Sequence, residues 1–160
     1  MSGTLTSAQR TTLLSHVDGW IALGFGSGLV PVAPGTFGSL AALLPWLALR
    51  QLFWPAYSLA VLAAFVLGAW ACSRAARRVG LHDPGAIVWD EFVGLWIALW
   101  PVRGAPWWMV VVAWVLFRGF DVFKPWPIRW ADRNISGGFG IMFDDVLAGV
   151  AAAIVLLLIN

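Results

Sequence analysis

From Trp54 to Ser73 the chain runs for 20 residues without a charge. That is the length a helix needs to cross the hydrocarbon core of a bilayer, roughly 20 residues at 1.5 Å each. A soluble domain could hide one such segment in its core, but four further apolar stretches accompany it: 39–49 (interrupted by Pro45), 92–102, 106–117 and 146–159. Charged residues make up 11% of the chain, against roughly 25% in soluble domains. The chain therefore reads as one integral membrane domain over residues 1–160 and as all-α. The expected fold is a polytopic bundle of about five main helices, at roughly 39–53, 55–73, 91–102, 106–118 and 145–159. A short N-terminal helix or re-entrant segment precedes them. Residues 1–19 are polar and lack a basic start followed by an apolar run, so no cleavable signal is expected. A lone Cys72 excludes an internal disulfide and a thiolate metal cluster, and reads as a small core residue.

Only 54–73 is long enough to span without help from its flanks. The other helices must recruit polar neighbours, which brings charges close to membrane depth, where they are costly and point to function. Alternation across the bilayer decides their side. Arg74, Arg77 and Arg78 follow the long apolar run, and the positive-inside bias assigns them to the cytoplasm. Arg10, Arg118, Lys124, Arg129 and Arg133 then share that side, which makes eight basic residues inside against Arg50 and Arg103 outside. Every acid from Asp83 onward falls on the same face, and any chemistry is expected there. Tryptophans such as Trp100, Trp107, Trp108, Trp126 and Trp130 cluster near the helix ends, as interfacial anchors do.

Two acid pairs echo each other. "IVWDEFVG" (87–94) and "IMFDDVLAG" (141–149) each carry an aromatic, two acids, two apolar residues and then a small residue, and each is preceded by Gly85 or Gly140. Both are expected at a helix start, where a first-turn acid gains roughly 0.3–1 kcal/mol from the macrodipole. One acid would satisfy that role, and two adjacent carboxylates repel. The pairs Asp90–Glu91 and Asp144–Asp145 are therefore read as jointly holding a divalent cation, magnesium, manganese or calcium, which hard oxygen ligands suit. Gly94 and Gly149, one turn on, would let their helices approach closely, though plain contact glycines would look the same.

A third segment, "FRGFDVFKPWPIRWADR" (117–133), mixes acids and bases. Arg118 and Asp121 stand at i, i+3 and are neighbours on a helix. Pro125 biases Lys124 away from helical backbone and ends the helix there. A lysine and an arginine fixed beside acids suit a phosphate and its metal. Arg129 and Arg133 serve equally well as plain inner-face cations. A fourth segment, "GSGLVPVAPGTFGS" (26–39), places Thr36 and Ser39 near a helix start that could bind an anion, although it lacks the P-loop lysine. His82 beside Asp83 reads as a solvated loop residue or a general acid–base.

The stretches "GFGSGLVPVAPGTFGS" (24–39), "DPGAIVWDEFVG" (83–94), "FRGFDVFKPWPIRWAD" (117–132) and "GGFGIMFDDVLAG" (137–149) together resemble the phosphatidylglycerophosphatase A family of bacterial membrane lipid phosphatases. They cover 57 of the 160 residues, in order along the chain. The resemblance implies a compact helical fold in the bacterial inner membrane. It also implies magnesium-dependent hydrolysis of the terminal phosphate of phosphatidylglycerophosphate, giving phosphatidylglycerol and phosphate.

The residues then take expected roles. Asp90, Glu91, Asp121, Asp144 and Asp145 hold one or two magnesium ions and activate a water. Lys124 and Arg118, with Thr36 and Ser39, bind the phosphoryl oxygens. An aspartyl-phosphate route stays open. So do two other functions, a phosphatase for another membrane phosphate such as phosphatidic acid or a polyprenyl phosphate, and a small cation-coupled transporter. The acids crowded on one face favour surface chemistry over passage. The expected partner is the phospholipid substrate in the bilayer, with neither nucleic acid nor a protein partner.

Overall fold

A computed structural model describes residues 5–81 and 84–159, so His82 and Asp83 lie outside the described residues. Among the described residues the fold is all-helical. In chain order the helices are α1 (Ser7–Leu14), α2 (Val17–Ala22), α3 (Pro34–Ala41), α4 (Leu43–Leu49), α5 (Trp54–Val79), α6 (Trp89–Ala98), α7 (Trp107–Phe123), α8 (Ile128–Asn134) and α9 (Gly137–Ile159).

Two of these are long and apolar enough to cross a membrane, α5 with 26 residues and α9 with 23. α7 has 17 residues, about 25 Å at 1.5 Å per residue. The helix expected at 39–53 is instead α3 and α4, which meet at Ala42, because Pro45 has no N–H to return to the carbonyl of Ala41. α5 runs six residues past Ser73, since Arg74, Arg77 and Arg78 are good helix formers and Gly80 stops the helix in a left-handed conformation, φ 67°. α7 likewise extends beyond Arg118 to Phe123, where Lys124 caps it at φ 43°.

Helix α6 is the centre of the bundle: eight of its ten residues are buried. It lies against α9 on one side and α5, α7 and α3 on others. Gly94 and Gly149 make the α6–α9 approach possible. A Cβ on Gly149 would sit 2.3 Å from the carbonyl oxygen of Gly94, and one on Gly94 would sit 2.7 Å from the carbonyl oxygen of Asp145. Buried aromatic donors tie the layers together. Tyr57 Oη donates to the carbonyl of Trp96 at 2.5 Å, Trp96 Nε1 to Ala42 at 2.8 Å, and Trp89 Nε1 to Ala64 at 3.0 Å.

The outside of the bundle is apolar. Leu59, Leu62 and Val66 on α5 and Ile154, Leu157 and Leu158 on α9 are each more than half exposed. A contiguous apolar exterior of this kind suits lipid contact. Trp107, Trp108, Trp126 and Trp130 are exposed near helix ends. α1 and α2 fold against the end of α5. Gln9 Nε2 donates to the carbonyl of Val79 at 2.8 Å, and Arg78 pairs with Asp18 through Nε at 2.8 Å and Nη2 at 3.2 Å.

Candidate active site

The end of the bundle where α6 and α9 begin and α7 finishes holds a cavity of 340 Å³ lined by six carboxyl groups and two cations. α6 contributes Asp90 and Glu91 from its first turn, as expected. α7 contributes Arg118 and Asp121 from its last turns, Lys124 follows as its cap, and α8 adds Asp132. Asp144 and Asp145 do not open a helix. α9 starts at Gly137, so the pair sits in its third turn, and the macrodipole, confined to the first turn, does not account for it. The glycines ahead of the helix expected at 145–159 are themselves helical, and Gly138 and Gly140 pack tightly. A Cβ on Gly138 would lie 2.1 Å from the Ala69 carbonyl oxygen, and one on Gly140 would lie 2.3 Å from that of Ile135.

Each acid has a distinct setting. One carboxylate oxygen from each of Asp121, Asp144 and Asp145 lies within 4.8 Å of the other two. Arg118 binds Glu91 and, through the same nitrogen, Asp121 at 2.7 Å, confirming the i, i+3 contact. Lys124 Nζ donates to Asp144 at 2.6 Å and to Asp132 at 2.5 Å. Burial disfavours the Lys124 charge, but the hydrogen bonds to Asp132 and Asp144 outweigh it and hold the ammonium above the ordinary lysine range. Asp90 accepts the backbone N–H of Glu91 at 3.0 Å and faces the cavity. Asp145 is only 3% exposed, and its Oδ2 is buried without a hydrogen-bond partner among the described residues.

That orphaned oxygen tests whether the residues fit a cation. A buried acceptor left unpaired costs about 1–3 kcal/mol, and more when charged. Asp145 Oδ2 has no donor among the described residues, and the six carboxyl groups of the cavity exceed its two cations. Hard oxygen donors converging from two helices are the set a divalent ion such as magnesium takes. The residues fit.

The Thr36–Ser39 expectation is corrected. Ser39 is fully buried, donates to the carbonyl of Thr36 at 3.0 Å and accepts from Trp114 Nε1 at 3.0 Å. Neither residue lines the cavity, and the segment meets it through Ala33, Pro34 and Gly35 instead. Gly35 is needed there because a Cβ would fall 2.0 Å from Glu91 Oε1. Arg118, expected on phosphate, is engaged by two carboxylates. Asp132 was missed: it stood inside a recognised stretch, but the two prolines before it concealed α8.

Residues 20–160 match the family model described as phosphatidylglycerophosphatase A. The chain is 50% identical over 140 residues to the Escherichia coli (strain K12) protein named phosphatidylglycerophosphatase A, spanning 88% of this chain and 81% of that one. It is 46% identical over 153 residues to the Haemophilus influenzae protein of the same name, spanning 95% and 93%. A Bacteroides thetaiotaomicron protein, named as a proposed phosphatidylinositol-3-phosphatase, is 43% identical over 144 residues, spanning 85% and 89%. No solved structure matches. With its acids and cations gathered in one cavity, the chain belongs to the phosphatidylglycerophosphatase A family, a family of phosphatases.

Proposed function

We propose that this protein hydrolyses the terminal phosphate monoester of phosphatidylglycerophosphate, giving phosphatidylglycerol and phosphate for phospholipid synthesis. The observation that carries the reading is the convergence of Asp121, Asp144 and Asp145, the last with an oxygen buried and unpartnered among the described residues, in a member of this family. These three carboxylates would hold magnesium, with Glu91 and Asp90 at the edge of the same cavity. Bound there, magnesium supplies electrophilic polarisation of the phosphoryl group.

The chain's own residues do the rest. Lys124 fixes the direction of the Asp144 carboxylate and presents a positive charge to the cavity, where it would meet phosphoryl oxygens. Arg118 holds Glu91 and Asp121 apart from each other's repulsion and keeps both aimed inward. A cavity carboxylate accepts the proton of the attacking water as its oxygen bonds to phosphorus. The ester P–O bond breaks towards the glycerol oxygen, which takes a proton. Gly35 leaves room for the Glu91 carboxylate at the edge of the cavity.

The wider setting is part of the same reading. The single domain crosses the bacterial inner membrane several times, with α5 and α9 as full spans and the shorter apolar helices completing the bundle. The cavity opens on the cytoplasmic face, which the Arg74, Arg77 and Arg78 cluster at the same end favours. The acyl chains stay in the bilayer.

Phosphate release from phosphatidylglycerophosphate in detergent micelles is the test, with magnesium, with chelator, and for Asp145→Asn. Magnesium-dependent release that the substitution abolishes supports the proposal. Release from phosphatidic acid or a phosphoinositide in preference to phosphatidylglycerophosphate would reassign the substrate, and no release with any divalent ion would reject the phosphatase mechanism.

A further inference from the structure

Helices α3 and α7 meet through two residue pairs one turn apart. Trp114 of α7 donates from Nε1 to Ser39 Oγ at 3.0 Å, and the Ser39 hydroxyl donates in turn to the carbonyl of Thr36, also at 3.0 Å. One turn further along each helix, Gly35 lies against Arg118: a Cβ on Gly35 would stand 3.3 Å from Arg118 Nη1. Residues i and i+4 share a helix face. Ser39 with Trp114 and Gly35 with Arg118 are therefore successive rungs between helices that run in opposite directions.

The first rung is hidden, and the second borders the carboxylate cavity. Ser39 is fully buried, and a hydroxyl buried in an apolar bundle is costly unless it finds hydrogen-bond partners, which Ser39 does both as donor and as acceptor. Gly35 lines the cavity beside Ala33 and Pro34. Arg118 Nη1 holds both Glu91 and Asp121, and Asp121 is one of the three carboxylates that converge with Asp144 and Asp145. α3 is also pressed against the approach to α6, where a Cβ on Gly38 would fall 2.6 Å from Cβ of Val88, two residues before Asp90.

We propose that Ser39 and Trp114 are positioning residues of the active site. Their hydrogen bond holds the start of α3 down on Glu91 and Arg118, and so fixes, through Arg118, the carboxylate that Asp121 offers to the cation. The inference rests on the proposed phosphatase reading and deepens it. Neither Ser39 nor Trp114 lines the cavity, so both act through other residues. Without their bond the 33–35 backbone lifts from Glu91, and water reaches the Arg118 nitrogen that joins the two carboxylates. A hydrated guanidinium attracts them less strongly, and Asp121 strays from its place beside Asp144 and Asp145. The effect falls on the cation before it falls on the lipid.

The experiment uses the purified full chain in detergent, stripped of metal with chelator and dialysed. Titration calorimetry with magnesium alone gives a Kd, phosphate release against magnesium concentration gives an activation constant, and thermal unfolding in chelator gives stability. Wild type is compared with Ser39→Ala, Trp114→Phe, the two together, and Trp96→Phe. The last variant removes a bond of the same kind, from Trp96 Nε1 to the Ala42 carbonyl at 2.8 Å, at the end of α3 away from the cavity. The expected result is a magnesium Kd and activation constant both raised about tenfold in Ser39→Ala and in Trp114→Phe, the lower end of the effect of outer partners at metal sites. In both variants kcat at saturating magnesium stays within about twofold of wild type. The double variant is no worse than either single one, because the two residues share one bond. Trp96→Phe lowers the thermal midpoint and binds magnesium as wild type does.

Unchanged magnesium binding in Ser39→Ala and Trp114→Phe, an equal weakening in Trp96→Phe, or losses that add in the double variant would each overturn the positioning role. A wild type that binds magnesium and releases phosphate leaves the phosphatase reading intact in all three cases. A wild type that neither binds magnesium nor releases phosphate would overturn both.

Discussion

Lys124 Nζ lies 2.6 Å from Oδ2 of Asp144, on a residue held at φ 43° just before Pro125. The lysine that ends α7 is thus aimed across the cavity at the acid pair of α9, and its backbone conformation is part of the aim. Replacing Lys124 by Ala is expected to lower kcat/KM by about 10–100-fold or more, the worth of a charge-assisted hydrogen bond of 1.5–3 kcal/mol. Lys124→Arg should not restore activity, because a planar fork cannot take the place of a point charge shared by two carboxylates. Asp132→Asn, which removes only the outer partner, should cost less than Lys124→Ala. Steady-state kinetics on the three variants checks the order.

Asp145→Asn should separate activity from stability. The substitution removes a buried charge whose Oδ2 has no partner among the described residues, while keeping the shape of the side chain. Phosphatase activity should vanish. In chelator the variant should unfold at the same temperature as wild type or higher, since an unpaired buried acceptor costs about 1–3 kcal/mol. Thermal unfolding in detergent with chelator, beside the phosphate assay, measures both. A variant much less stable than wild type would contradict the reading of Asp145 as a cation ligand.

Gly149→Ala and Gly119→Ala make a paired test of helix approach. A methyl group on Gly149 meets the Gly94 carbonyl oxygen at 2.3 Å, which is backbone and cannot swing aside. Forcing α6 from α9 should cost about 1–3 kcal/mol and reduce activity, because Glu91 and Asp145 ride on those two helices. Gly119, in α7, has nothing within 4 Å of its Cβ position, so Ala there should be neutral or gain up to about 1 kcal/mol of helix propensity. Thermal midpoints of the two variants in one detergent provide the comparison.

The Asp18–Arg78 pair should make docking of the N-terminal helices sensitive to acid. The hydrogen bond from Arg78 holds the Asp18 carboxyl below the ordinary aspartate range despite its burial. A carboxyl whose folded pKa is depressed binds its proton more weakly when folded than when unfolded. Its stabilisation is therefore fully present above the unfolded value, about 3.9, and is lost as pH falls through the lower folded value. Asp18→Asn should be less stable than wild type near pH 7, because the Arg78 hydrogen bond is lost. The difference should shrink below about pH 4, which unfolding of both proteins across that range will reveal.

Much of the site could be read from the sequence because charge in an apolar chain is conspicuous. Asp90, Glu91, Asp121, Lys124, Asp144 and Asp145 all line one cavity. What escaped was governed by packing. Gly137–Gly140 lay outside the helix expected from 145, yet glycine there lets α9 press against Ala69 and Ile135, so the helix begins eight residues earlier than expected. Ser39 read as a phosphate ligand, but a hydroxyl in an apolar bundle is as useful for holding Trp114. Asp132 was obscured by Pro125 and Pro127, which announce a turn and conceal the short helix that follows. Asp18 lay in a stretch whose polarity suggested no tertiary role, and only the folded chain brings it to Arg78, 60 residues away.

The early start of α9 changes where water must go. Asp145 lies eight residues into that helix, about 12 Å along its axis. If α9 spans the bilayer as proposed, bond cleavage takes place well beneath the level at which headgroups ordinarily meet solvent. The protein then acts as a shaft sunk into the leaflet. It carries water down to a lipid that keeps its depth, and spares the cell the work of hauling two acyl chains up to the water. Phosphatidylglycerol would be released at the depth where it belongs, ready to diffuse sideways, while phosphate leaves upward by the route the water came.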